Sequence, residues 1–147
     1  MRSGLASCLL YAGSMSMSSL IACAQKHAMS QYAEDLVLLP TLLNATRGKQ
    51  GTFVELGALD GRRFSNTLML EQCFGWSGVL IEPEPSNFKA LNQSGRAACK
   101  LHSAVCRGQG TVKFTSRPGE LAGQVDVLSK AYSARWGGAR KDRKSVV

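Results

Sequence analysis

Short apolar or β-branched runs alternate along this chain with longer stretches that open on Ser, Asn or acidic residues. Thr52-Phe53-Val54-Glu55-Leu56 reads as a strand running directly into Gly57-Ala58-Leu59-Asp60-Gly61. Val79-Leu80-Ile81 is the near-continuous apolar run of a strand buried on both faces, closed by Glu82-Pro83-Glu84-Pro85. Leu101 to Val105 reads as a third strand and Thr111 to Thr115 as a fourth. Between them, Ser30 with Glu34 and Asp35 suits the start of a helix from about Gln31 to Ala45, which Pro40 can kink. Ser65-Asn66-Thr67 can cap a helix that carries Leu68, Leu70 and Phe74 and ends at Gly75. Trp76-Ser77-Gly78 is a turn, and Ser86-Asn87 opens a helix through Phe88 and Leu91 to about Ser94. The order strand, helix, strand, helix, strand predicts an α/β fold with a parallel sheet and right-handed crossovers. Beyond Gly119 the apolar content thins, and Val146-Val147 reads as a strand interrupted at its beginning.

At 147 residues the chain suits one domain. Its net charge of +8 comes from 18 basic and 10 acidic side chains. From Lys130 to Val147 six basic residues face only Asp142, so this segment alone supplies +5. A solvated or disordered tail is the expectation there, and nucleic acid is not the expected partner. The first acid is Glu34, and the apolar stretch Leu5 to Tyr11, the Ser/Met-rich segment after it and Ala22-Cys23-Ala24 fit a secretory leader with a small-x-small cleavage site. A Ser-rich, acid-free start also describes an organelle transit peptide. No apolar run reaches the roughly 18 residues of a membrane span. Of the five cysteines, Cys8 and Cys23 fall in the leader, leaving Cys73, Cys99 and Cys106. Cys99 and Cys106 can pair or remain buried thiols, and no spacing suggests a metal site.

Candidate chemistry concentrates at the ends of the first two strands. Glu55 precedes a loop whose Gly57 and Gly61 let backbone approach a ligand closely. The loop lacks the third glycine of the dinucleotide fingerprint, and Glu55 and Asp60 would repel phosphates. That disfavours a nicotinamide-dependent oxidoreductase. A cofactor with a cationic amino-acid end and no phosphate fits better, and S-adenosyl-L-methionine is such a molecule. Glu82, about 20 residues beyond the loop, stands where a Rossmann-like fold sets a carboxylate against ribose hydroxyls. The plainer alternative is that both acids cap strands and the glycines serve a turn.

These residues resemble FkbM-type methyltransferases from about Ser30 to Val112, in three motifs: Ser30 to Asp35, Val54 to Thr67 and Ile81 to Phe88. The resemblance implies a Rossmann-like class I methyltransferase sheet, incomplete here at the C-terminus. It also implies O-methylation of a hydroxyl on a sugar or small metabolite. By the same resemblance Glu55 and Gly57 line the methionine end of S-adenosyl-L-methionine. Asp60, Gly61, Asn66 and Thr67 shape the adjoining pocket, Glu82 binds ribose, Ser103 and Ala104 lie near adenine, and Glu34 and Asp35 approach from the first helix. Two departures stand out. Ala33 replaces the family's glycine, a change a helix tolerates, and the later acid-rich strand has no counterpart beyond Gln124-Val125-Asp126-Val127.

The organisation expected is a targeting peptide over residues 1–24, the N-terminal part of a methyltransferase domain over 25–129, and a basic tail over 130–147. The expected location is the secretory pathway or outside the cell, or an organelle if the leader is a transit peptide. The catalytic base and oligomeric state are not identified. His102, Arg62, Arg63, Phe74, Trp76, Tyr132 and Trp136 are read as structural or surface residues first, and as site residues second. The alternative function is a non-catalytic cofactor-binding or interaction fragment of such a domain.

Overall fold

The computed structural model describes residues 16–106, 110–114, 123–124, 129–136 and 143–146. Three parallel strands form its centre: β1 (Thr52–Leu56), β2 (Ser77–Ile81) and β3 (Cys99–Leu101), in that spatial order. β1 joins β2 through α3 (Leu68–Phe74), and β2 joins β3 through α4 (Pro85–Asn92). The fold is therefore α/β with a small parallel sheet, compatible with a Rossmann-like arrangement. In register, Val79 lies between Val54 and Cys99, and Ile81 between Leu56 and Leu101.

Side-chain alternation gives the sheet two unlike faces. Phe53 and Leu80 turn inward and join Ala58, Leu70, Trp76, Leu91 and Ala98 in the main core. Burying Leu80 and Leu91 completely is worth roughly 1.5–3 kcal/mol each. The opposite face carries Val54 and Leu56, which are 65% and 60% exposed. Gly78 is required in β2 because a Cβ there would collide with the carbonyl and ring of Phe53.

The third strand lies N-terminal to the stretch Leu101–Val105 expected from sequence. Its pairing ends where Glu82 N–H reaches the Leu101 carbonyl, 3.0 Å away, because the next amide facing that edge, Glu84 N–H, donates to the Glu82 carboxylate instead. Ser103 and Ala104 consequently follow the strand rather than end it. The fourth strand, β4 (Thr111–Phe114), leaves the parallel sheet and pairs antiparallel with β5 (Arg143–Val146). The basic segment expected to be a disordered tail thus holds α5 (Lys130–Trp136) and β5. Thr115, Asp126 and Val147 lie outside the described residues.

Two helices precede the sheet, α1 (Met17–His27) and α2 (Glu34–Thr46). Ser16 caps α1 by accepting from Ser19 N–H. The cleavage site read at Ala22-Cys23-Ala24 lies inside α1, where Ala24 is buried against Met69 and Cys73. Cys23 is disulfide-bonded to Cys73 across a separation of 50 residues, so α1 is tied covalently to α3 and the residue-24 boundary divides a folded element. The pairing considered for Cys99 and Cys106 does not form; both are free and exposed rather than buried. The leader stretch Leu5 to Tyr11, with Cys8, lies outside the described residues. None of the described helices is long and apolar enough to cross a membrane.

α2 starts three residues later than expected because Ala33 adopts φ 61°, a left-handed conformation no helix contains. Glu34 closes this turn by accepting from Tyr32 N–H at 2.8 Å. Buried Asp35 accepts from Met29 N–H and the Ser30 hydroxyl, fastening the α1–α2 connection. Ala33 is therefore a strained substitute for glycine, not one sitting comfortably in a helix.

Two stability results follow from these contacts. Replacing Cys23 and Cys73 together by serine should lower unfolding free energy by up to about 4 kcal/mol, the loop-closure value for this separation, read as a fall in urea midpoint. Ala33→Gly should raise it by about 1 kcal/mol, because glycine adopts the left-handed conformation without a Cβ penalty; an unchanged or lower midpoint would contradict the strain.

Candidate functional site: the carboxyl ends of the strands

The loop leaving β1 is wound tightly, with positive φ at Gly57, Leu59, Gly61 and Phe64. Leu59 and Phe64 lack glycine's freedom, and each such conformation costs roughly 1–2 kcal/mol. Hydrogen bonds hold the strain in place. The amides of Gly57 and Ala58 both donate to the Ile81 carbonyl, at 2.9 and 3.1 Å, and Gly61 N–H donates to the Ala58 carbonyl at 2.7 Å. Asp60 turns its carboxylate back onto the amides of Arg62 and Arg63, both at 2.8 Å. Gly61 also needs its missing Cβ, which would stand 2.7 Å from Leu91 Cδ1.

Glu55 points beneath this loop. Its carboxylate accepts from the Ser65 hydroxyl at 2.9 Å, from Asn66 N–H at 3.0 Å and from the Thr67 hydroxyl. Both hydroxyls in turn accept from Arg96, Ser65 from Nη1 at 3.1 Å and Thr67 from Nη2 at 3.0 Å. A guanidinium only donates, so the hydroxyl protons must face Glu55. Arg96 Nη1 also donates to the Gly61 carbonyl at 2.6 Å, and Nε to Glu71 on α3 at 2.9 Å. The Arg96 side chain is fully buried. Sequence reasoning missed Arg96 entirely, because an arginine beside Gly95 resembles any polar turn residue.

Glu82 is also turned inward, with only 2% of its surface exposed. One carboxylate oxygen accepts from Leu59 N–H at 2.9 Å and the other from Glu84 N–H at 2.8 Å. Burial pushes its carboxyl above the ordinary glutamate range, against the opposing pull of these amides. Glu84, equally buried, caps α4 by accepting from Asn87 N–H at 2.7 Å. The α4 cap is therefore Glu84, two residues ahead of Ser86.

Above these acids lies a cleft of about 230 Å³ at the carboxyl ends of all three parallel strands. Leu56 and Gly57 line it from β1, Ile81 and Pro83 from β2, and Ser103 to Val105 from the segment after β3, with Phe114 and Gln124 completing the wall. A Cβ at Gly57 would meet nothing within 4 Å, so the glycine opens room as well as permitting the turn. Among the described residues, none that lines it carries an acid or a base. The structure thus brings Gly57, Ser103 and Ala104 together at one cleft. Glu55, Asp60, Gly61, Asn66, Thr67 and Glu82 form the layer supporting it, while Glu34 and Asp35 sit at the α1–α2 connection.

No family model, curated protein or solved structure matches this chain. Its chemistry has to be argued from the cleft itself. Apart from Phe114, the nearby aromatic and basic residues stand outside its lining. His102 is exposed, stacks on Phe88 at 4.7 Å and places Nε2 3.2 Å from the Pro83 carbonyl oxygen. Trp76 is buried against Gly51, away from the cleft lining. Arg63 lies over Phe64, and Arg62 donates to the Ser94 carbonyl.

The buried Glu82 carboxyl fixes a pH dependence. With its folded pKa above the unfolded value, the native state holds the proton longer. Its contribution to stability is present below the ordinary glutamate pKa and is lost as pH rises through the folded value. Glu82→Gln removes that titration. Relative to wild type, the variant's urea midpoint should therefore rise between acid pH and neutrality; a relative fall would show that the amides outweigh burial.

Proposed function

We propose that this chain binds S-adenosyl-L-methionine and serves methyl transfer to a hydroxyl of a sugar or other small metabolite, as its resemblance to FkbM-type methyltransferases implies. The cleft at the strand ends is the observation that carries this reading. Ligands of open α/β sheets bind outside the carboxyl ends of the strands, and this cleft has an apolar wall suited to a flat, uncharged ring. Ligand sites commonly span about 300–1,000 Å³, so it accommodates the nucleoside part of such a cofactor rather than the whole molecule. Gly57, Ser103 and Ala104 would hold that part. Glu82 does not present an open carboxylate, so a ribose contact there requires its side chain to leave the Leu59 and Glu84 amides.

When bound, this cofactor supplies a methyl group on a sulfonium. The chain's own share is to hold it and exclude water. A second reading, cofactor binding without turnover, is favoured by a specific feature: among the described residues the lining contains no acid or base able to take the hydroxyl proton. A nicotinamide dinucleotide fits poorly, since the loop amides that would grip its phosphates already have acceptors. The Cys23–Cys73 disulfide supports maturation in an oxidising compartment, but not cleavage after Ala24, which would remove Cys23.

Calorimetric titration of the full chain with S-adenosyl-L-methionine should show saturable binding. Gly57→Ala should weaken it about tenfold by adding a Cβ at the cleft and straining the loop. Absence of heat from a folded chain would remove the cofactor assignment. Binding without transfer of a labelled methyl group to any of a panel of sugars would favour the non-catalytic reading.

A further inference from the structure

The geometry assigns Arg96 as the positioning residue of the cleft: from outside its lining, it holds the loop that carries Gly57. This inference rests on the proposed ligand-binding reading only for its effect on affinity. Its structural half stands on the hydrogen bonds. Arg96 uses four of the guanidinium's five N–H donors, and each goes to a group that fixes a different part of the loop or its exit. Nε holds Glu71 on α3, while Nη1 holds both the Gly61 carbonyl and Ser65, and Nη2 holds Thr67. Glu71 returns to the same turn by accepting from Ala97 N–H at 2.8 Å. The two hydroxyls then orient Glu55, whose direct separation from Arg96 Nη1 is 4.0 Å. One planar group therefore sets the height of the loop above the end of β1, the start of α3 and the approach to β3.

The requirement is specific to arginine. Lysine supplies three donors from one nitrogen and cannot span Gly61, Thr67 and Glu71 as a rigid fork. It would keep a positive charge between Glu55 and Glu71, sparing the fold the burial of two unpaired carboxylates. Arg96→Lys thus separates charge from geometry. In that variant of the full chain, urea stability should stay close to wild type. Amide hydrogen exchange at Leu59 and Gly61 should accelerate about tenfold while the β2 amides of Val79 and Leu80 keep their protection. Affinity for S-adenosyl-L-methionine should fall about tenfold.

Unchanged loop exchange in the folded variant, or an equal rise in loop and sheet, would overturn the assignment. If wild type binds no S-adenosyl-L-methionine but loop exchange responds as stated, the positioning role holds and the cofactor reading falls. Should Arg96→Lys fail to fold, Glu71→Gln carries the same test, since it releases Nε from its charged partner and leaves the guanidinium in place. Loss of folding in both variants would also overturn the inference, by making the network a requirement of the whole domain rather than of the loop.

Discussion

The fold around the cleft depends on one buried cation shared between two carboxylates. Arg96 lies among Glu55 and Glu71, with its side chain wholly shielded and theirs nearly so. Removing charges from water is expensive, and an ion pair in the interior is tolerable only when the remaining lone pairs and protons are satisfied. Here they are: hydroxyls of Ser65 and Thr67 and amides of Asn66 and Ala97 complete the carboxylates. Because this set draws on β1, the loop, α3 and the turn before β3, none of those parts can shift alone. The same set explains why the first helix after β1 starts where it does. Thr67 makes no side-chain cap bond of its own, since its hydroxyl donates to Glu55 and accepts from Arg96, and the Ser65 hydroxyl accepts from Leu68 N–H in its place.

Much of the parallel sheet was legible in the sequence. The bounds of β1 and the span of α3 through Gly75 follow from an apolar run and its flanking breakers, both local signals. The position of β3 was not legible, because it is set by where the chain leaving the neighbouring β2, one helix crossing back, turns its Glu84 amide onto Glu82. The departure of β4 toward β5 was equally hidden: a strand's own residues state its period, not its partner. At the site, the glycines and strand-end acids stood out, but their orientations did not. Arg96 left no trace, since its role exists only once Gly61, Thr67 and Glu71 converge on it.

The covalent link between Cys23 and Cys73 changes how the N-terminal segment must be regarded. Composition alone groups Ala22-Cys23-Ala24 with the Ser-rich leader. In the fold, however, Ala24 and Cys73 share a small cluster with Met69, packed against Leu39 and Phe74. α1 is thereby a second layer behind α3, the helix that carries Glu71. The sheet is covered on this side, while its other face leaves Val54 and Leu56 open. Parallel sheets are generally covered on both faces, so among the described residues these two side chains mark an uncovered part of the sheet.

The strand-end acids act differently from the way their charge alone suggests. Glu55 and Asp60 would be expected to turn phosphates away by repulsion, and Glu82 to meet ribose hydroxyls. Instead each is already occupied as an acceptor, Glu55 by the α3 approach, Asp60 by its own turn and Glu82 by Leu59 and Glu84. From Gly57 to Arg63, six amides have acceptors inside the loop or at the end of β2. A phosphate-binding loop works because such amides are free and converge on the ligand. This loop uses them to stabilise its own left-handed residues, so it offers no converging set of free amides to a phosphate. What remains open is the side of Gly57 and the apolar wall beside it, a surface whose chemistry suits a neutral ring rather than a charged group.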